Sequence, residues 1–178
     1  MIFETPRMII RLPMAADFPY FFQAMSDPET MRYIRAPITE EQLVLDRMHS
    51  WVEYADKNPG LGVFVAILKK EEVFAGYCVA RHLNFDQEQT DMEIGYTFLK
   101  PFWGQGLASE LVQALCTYTF AQTGAPYLVA LTDPDNMASQ QVLRKNGFKL
   151  FGKRQVYEGI SNEYRLNATE SNALSTHK

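Results

Sequence analysis

Hydrophobic and polar positions change their period along this chain in a way that sorts it into strands and helices. Residues Thr5 to Leu12 alternate in part and are rich in Ile and Met, with Arg7 and Arg11 at the flanks, which predicts a first strand. Phe18, Phe21, Phe22 and Met25 then recur at helical spacing behind Asp17, a residue type that caps helices, and this helix should stop near Asp27-Pro28. A second helix is predicted from Thr39: Thr39 and Gln42 fit the capping-box pattern, and Val44, Met48, Trp51, Val52 and Ala55 continue one apolar face up to Asn58-Pro59-Gly60. Between the two helices, Arg32 to Ile38 is irregular and reads equally well as a wall of a substrate pocket or as a plain connection.

Two strands follow, Gly62 to Leu68 and Val73 to Arg81, joined by the charged turn Lys69-Lys70-Glu71-Glu72. After a turn from Asn84 to Gln89, a third runs from Thr90 to Phe98, and short links predict antiparallel pairing. The period then returns to 3.6. Leu107, Leu111, Leu115 and Tyr118 line one face of a helix ending near Thr123-Gly124, and Tyr127 to Leu131 is a short apolar strand. Strand-helix-strand connectivity favours a parallel crossover from 90–98 to 127–131, with a ligand at the carboxyl ends of those strands. A turn from Thr132 to Asn136 leads to a helix over Met137 to Lys145 that Gly147 ends, with Arg144 and Lys145 suiting its C-terminal dipole. Phe148 to Tyr157 and Asn162 to Leu166 form a closing hairpin around Glu158-Gly159. Residues 167–178 are polar and patternless and read as a flexible tail, leaving 1–166 as a single domain.

Composition narrows the classes. At 178 residues, 47% hydrophobic and 21% charged, the chain can bury a core in one domain. Its 17 basic and 21 acidic residues give a net charge of -4 with no long block of either sign, which speaks against a nucleic-acid binder. Cys78 and Cys116 fall in apolar segments without metal or disulfide spacing and read as buried free thiols. No apolar run reaches the ~18 residues of a membrane span, and the N-terminus lacks a basic segment followed by an apolar one, so a cytoplasmic location is expected. His49, His82 and His177 are scattered, suggesting neither a zinc site nor a Ser/His/Asp triad.

The chemistry concentrates in Pro101-Phe102-Trp103-Gly104-Gln105-Gly106-Leu107-Ala108-Ser109, which ends a strand and opens a long helix. Two glycines one residue apart let main-chain N–H groups close on an anion, and the helix N-terminus adds partial positive charge. The stretch reads as a phosphate cradle. A dinucleotide fold is disfavoured, because the loop follows an antiparallel meander and the third glycine of that fingerprint is missing.

With this loop stand Arg7-Met8-Ile9-Ile10-Arg11-Leu12, Ser26-Asp27-Pro28-Glu29, Met92-Glu93-Ile94-Gly95-Tyr96, Asn136-Met137-Ala138-Ser139 and Lys145-Asn146-Gly147-Phe148. In this order and spacing the chain resembles, over almost its whole length, the GNAT superfamily of acyl-CoA-dependent N-acetyltransferases, and within it the Rim type that acetylates ribosomal-protein N-termini. The resemblance implies an α/β (α+β) fold: a mixed, mostly antiparallel twisted sheet flanked by helices, with splayed central strands holding acetyl-CoA. It implies acetyl-CoA as cosubstrate, no metal, and an amine acceptor; a monomer or homodimer is expected. The pyrophosphate would meet main-chain N–H groups of Gly104, Gln105, Gly106, Leu107, Ala108 and Ser109. The pantetheine arm would pair with the strand edge at Phe98 and Leu99, and a main-chain N–H around Tyr96 to Phe98 would polarise the thioester carbonyl. Trp103 departs from the Gln or Arg with which such loops usually start. The implied activity is acetyl transfer to a primary amine, foremost a protein N-terminal α-amine. The alternatives are a small amine (a polyamine, amino sugar or antibiotic) and a non-catalytic acyl-CoA sensor.

Such a transfer needs a neutral amine and a proton for the departing thiolate. Deprotonating a lysine at pH 7 costs about 4.6 kcal/mol, an α-amine only about 1 to 1.4, so an N-terminal acceptor needs a far weaker base. Glu93 is the first candidate for that base and equally reads as a sheet-surface carboxylate. Asp91 competes from the same strand face, and Gln155 and Glu158 are alternatives on the acceptor side. At the thiol end, many family members carry a tyrosine where this chain has Leu143, so the Ser139 hydroxyl is the candidate donor. Asn136 would cap the helix and touch the pantetheine arm; ordinary capping explains both residues as well. Tyr96, Tyr157 and Tyr164 read as core.

Overall fold

A computed structural model describes residues 1–156 and 159–170. Its strands are β1 (Phe3–Glu4), β2 (Met8–Arg11), β3 (Gly62–Leu68), β4 (Val73–His82), β5 (Met92–Phe98), β6 (Tyr127–Thr132), β7 (Lys149–Val156) and β8 (Gly159–Asn167). The helices are α1 (Phe18–Ser26), α2 (Pro28–Met31), α3 (Glu41–Lys57), α4 (Leu107–Thr123) and α5 (Met137–Lys145). The eight strands form one sheet in the order β1-β2-β3-β4-β5-β6-β8-β7. It is mixed. β5 and β6 run parallel, as a crossover through α4 requires, whereas β1 with β2, β2 with β3, β6 with β8 and β7 with β8 are antiparallel. The parallel register joins Met92 to Leu128 and Glu93 to Val129.

The chain divides into two compact units, Met1–Val79 with Tyr96–Leu107 and Ala80–Gly95 with Ala108–Lys178. In the first, Phe21 of α1 is enclosed by Trp51 of α3 and by Phe74 and Tyr77 of β4, with ring centroids 5.1, 5.4 and 5.4 Å away. Such tilted aromatic pairs contribute beyond the area they bury. Gly76 marks a close approach: a Cβ there would lie 2.1 Å from the Thr97 carbonyl oxygen, so only hydrogen fits. In the second unit Leu111, Leu115, Leu128, Leu143 and Tyr164 are fully or almost fully buried. Cys78 and Cys116 are free and buried, and burial pushes both thiols far above their usual range.

Several local expectations change. The first strand is shorter than Thr5 to Leu12, because the Thr5 hydroxyl accepts from the Met8 N–H and turns the chain back into β1. Asp17 does not cap α1: its carboxylate takes two hydrogen bonds from Arg11, at 2.6 and 2.7 Å, and one from the Met14 N–H. The capping role falls to Asp27, which accepts from the Glu29 and Thr30 N–H groups at the start of α2. α3 starts two residues after Thr39 with no side-chain cap, because Gln42 donates along the helix to Asp46. Val52 is half exposed; the buried face of α3 is Val44, Met48, Trp51 and Tyr54. At the other end β8 keeps Asn167, and residues 168–170 make a helical turn whose Glu170 pairs with Lys149. Residues 171–178 lie outside the described residues.

Candidate functional site

The loop before α4 owes its shape to its glycines. Gly104 and Gly106 have φ of 72° and 76°, the left-handed region that costs other residues strain, and nothing lies within 4 Å of a Cβ built on Gly104. Leu107 then enters α4, whose first N–H groups have no acceptor within the helix. Main-chain N–H groups at a helix start bind anions where they converge. Leu107 itself is core, so only its main chain can face a ligand.

Side chains fix this loop in ways its sequence does not announce. The Trp103 indole N–H donates to the Phe98 carbonyl at 2.7 Å, and the Gln105 amide donates to the Pro101 carbonyl at 2.8 Å. Arg7, 98 positions earlier, donates to the Gln105 carbonyl at 2.9 Å. Because a trans peptide sets its C=O and N–H on opposite sides, Arg7 also fixes where the Gly106 N–H points. Lys100 pairs with Glu29 of α2 just before the loop. No residue type near Trp103 signalled the Arg7 contact; the strand pattern around Arg7 was the only trace of it.

Phe98 ends β5 and Leu99 follows it, both with their side chains buried. The Leu99 N–H donates to the Ala75 carbonyl at 2.9 Å, so at this edge the second lone pair of the Phe98 carbonyl is the acceptor to consider. Ala108 and Ser109 form the first turn of α4. The Ser109 hydroxyl accepts from the Asn146 amide at 3.1 Å, tying this turn to the end of α5.

Asn136 caps α5, its side-chain oxygen accepting from the Ser139 N–H at 3.0 Å. Ser139, in the first turn, is half-buried. Gln140 beside it is buried, donates to the Pro134 carbonyl, and with Arg144 engages the Tyr164 hydroxyl, which is fully buried and belongs to the core as expected.

Glu93 is not on the sheet surface. It is buried, and its Oε2 lies 2.9 Å from both Nε and Nη2 of Arg81, which also stacks over Phe85. Its competitor Asp91 accepts from the Tyr127 hydroxyl at 2.6 Å and from Arg154 at 2.7 Å. Burial alone would raise the Asp91 carboxyl, but these hydrogen bonds and the charges of Arg154 and Arg165 outweigh it and hold it below the usual carboxylate range. Strand alternation could not separate the two carboxylates; their partners do. Gln155 is exposed. Tyr157 and Glu158 lie outside the described residues. Among the described residues no group of three or more metal-binding side chains occurs, and no helix is long and apolar enough to cross a membrane.

Residues 7–149 match the acetyltransferase (GNAT) domain, and the chain belongs to this family of N-acetyltransferases. It is 30% identical over 155 residues to the uncharacterized N-acetyltransferase p20 of Bacillus licheniformis, covering 86% of this chain and 85% of that one. Among solved structures, a spermidine N-acetyltransferase from Vibrio cholerae in complex with CoA and spermine superposes with TM-score 0.78 at 12% identity, covering 93% of this chain and 98% of that one. The ribosomal L7/L12 alpha-N-protein acetyltransferase RimL, in complex with coenzyme A, superposes with TM-score 0.77 at 20% identity, covering 95% and 98%. Two acceptor classes thus share this fold almost equally.

Proposed function

We propose that this N-acetyltransferase moves the acetyl group of acetyl-CoA to a protein N-terminal α-amine, by direct attack in a ternary complex. The observation that carries the donor is the loop at Gly104 and Gly106, whose positive φ angles, with open Cβ space at Gly104, suit main-chain N–H groups to an anion at the start of α4. Main-chain groups from Gly104 to Ser109 would hold the pyrophosphate, and Phe98, Leu99 and Asn136 would border the pantetheine arm. The bound donor supplies an acetyl thioester.

What supports an α-amine is the state of the carboxylates. Glu93 is ion-paired with Arg81, and Asp91 is held by Tyr127 and Arg154. An α-amine needs only about 1 to 1.4 kcal/mol to lose its proton at pH 7, a far smaller demand than a lysine side chain makes on a carboxylate that a cation already engages. Glu93 accepts that proton, directly or through water, and the Ser139 hydroxyl donates to the thiolate that leaves. The nitrogen–carbon bond forms as the carbon–sulfur bond breaks, and no acyl-enzyme intervenes.

The deciding experiment is free-thiol release from acetyl-CoA across a panel of peptides with free N-termini, polyamines, amino sugars and lysine side chains. Turnover of peptides only when the N-terminus is unblocked supports the proposal. Preferred turnover of a polyamine or amino sugar replaces the acceptor. Binding of acetyl-CoA in a calorimeter with no thiol release from any amine would leave a non-catalytic sensor.

A further inference from the structure

Within the loop before α4, one peptide group decides which way a donor points. The Trp103 indole and the Gln105 amide anchor the loop by bonds to the Phe98 and Pro101 carbonyls. Between these anchors and α4 lies the Gln105–Gly106 peptide. Turning this peptide plane over would exchange its carbonyl and its N–H while changing only ψ of residue 105 and φ of residue 106. Glycine accepts both signs of φ, so Gly106, now at 76°, leaves the reversed orientation open. Arg7 bears on that choice. Its Nη1 donates to the Gln105 carbonyl at 2.9 Å, and its Nη2 lies 3.6 Å from where a Cβ on Gly106 would be, so the guanidinium rests against both residues of the peptide. Arg7 is itself carried by a fixed frame. The Thr5 N–H donates to the Met8 carbonyl at 2.8 Å, the Met8 N–H to the Thr5 hydroxyl at 2.9 Å, and the Lys69 N–H to the Arg7 carbonyl at 2.9 Å. Met8, the next residue, is fully buried and pairs with Leu68 of β3. Arg7, Gln105 and Gly106 all belong to the first compact unit.

We propose that Arg7 is a positioning residue for the coenzyme: it latches the Gln105–Gly106 peptide with the carbonyl on its own side and the Gly106 N–H turned toward the pyrophosphate. A carbonyl facing the other way would set partial negative charge against the anion and take one donor from the cradle. An arginine suits the latch because its guanidinium is always charged and its donors are fixed in a plane, so the bond carries direction as well as strength. Arg7 is exposed, so the bond holds an orientation rather than the core. Without it the loop would divide its time between two orientations, only one of which accepts the coenzyme. The apparent affinity would then fall by the fraction of loop that remains competent. This inference rests on the acetyl-CoA reading above and names the residue that prepares its site.

The test compares the full chain with Arg7→Gln and Arg7→Lys. Calorimetry with acetyl-CoA alone should give a Kd about tenfold weaker for Arg7→Gln, the scale of one charge-assisted hydrogen bond. Arg7→Lys, which keeps the charge but not the planar donors, should fall between that variant and the parent. In turnover the loss should appear in the KM for acetyl-CoA and not in kcat. Thermal melts should match the parent, because Arg7 is exposed. The decisive measurement is nuclear magnetic resonance of the free protein. The Gly106 amide should give one sharp signal in the parent and exchange broadening or a second signal in Arg7→Gln. The parent-like fraction should account for the Kd ratio, about one tenth if the loss is about tenfold. An unchanged Kd in Arg7→Gln overturns the proposal. So does a weaker Kd with a single sharp Gly106 signal, which would put the guanidinium on a phosphate itself. A Tm that falls in step with the affinity would make Arg7 a residue of the fold alone and overturn it as well. If the parent binds no acetyl-CoA, the donor reading fails on its own. A second Gly106 orientation in free Arg7→Gln would then still sustain the latch on the loop, and its absence would refute it.

Discussion

Gly104→Ala isolates the backbone demand of the loop, because it adds a methyl group where nothing lies within 4 Å. The only cost is conformational: an L-residue at φ of 72° pays about 1 to 2 kcal/mol. Gly104, Gln105 and Gly106 are exposed, so the strained turn can rearrange without disturbing the core. The penalty should therefore appear when a ligand demands the native turn. About 1 to 2 kcal/mol corresponds to roughly a 5- to 30-fold weaker Kd for acetyl-CoA, measured by calorimetry, with an unchanged Tm. Gly124→Ala is the control. It has a similar φ of 64° and open space, but lies just beyond α4, where the same strain should lower Tm by about 2 to 4 °C per kcal/mol and leave Kd alone. If Gly104→Ala lowers Tm like Gly124→Ala and binds acetyl-CoA as tightly as the parent, the loop is not the phosphate cradle.

Gly76→Ala forces a methyl group to 2.1 Å from the Thr97 carbonyl oxygen and 2.8 Å from the Phe98 Cα; both are backbone atoms, so a loss of about 3 kcal/mol in urea unfolding is expected. Glu93→Gln should remove the acid limb of the pH–rate profile if Glu93 accepts the proton, and it should also destabilise the fold by about 3 kcal/mol or more, because Arg81 keeps its buried charge. A retained acid limb in the folded variant removes Glu93 from the mechanism. Ser139→Ala should lower kcat more than it weakens coenzyme binding, and unchanged turnover would dismiss its role. For Asp17, burial raises the carboxyl but the hydrogen bonds from Arg11 and the Met14 N–H prevail and hold it low. A lowered folded value contributes stability above the ordinary carboxylate value of about 4, and that stability is lost as the pH falls through the folded value. Asp17→Asn should thus weaken the protein in urea at about pH 6 and much less at about pH 2.

How far the sequence could be read depended on distance along the chain. The bounds of α5 followed from Asn136, Met137 and Lys145 because capping and chain reversal are settled within a few residues. The bounds of β3 and β4 were nearly as clear, since a continuous apolar run meets a charged turn at Lys69 to Glu72. The start of α3 was misread because a capping pattern states what Thr39 and Gln42 can do, while Gln42 bonds to Asp46 instead. The loop at Gly104 and Gly106 was legible as a motif, but the Arg7 contact that orients it joins residues too far apart for any local rule. The same holds for Glu93: its place on β5 was readable, and its partner Arg81, on the neighbouring β4, was not. Gly76 gave no signal, because a glycine within a strand looks alike whether or not another backbone crowds it.

Cys78 and Cys116 are the only cysteines of the chain, and burial keeps both sulfurs protonated and out of reach of solvent. A chromogenic disulfide reagent added to the native protein should therefore develop almost no colour before the coenzyme is turned over. Every equivalent of colour that follows counts one coenzyme thiol, so the acceptor panel can be read continuously without a protein blank, and colour from the protein alone becomes a direct gauge of unfolding.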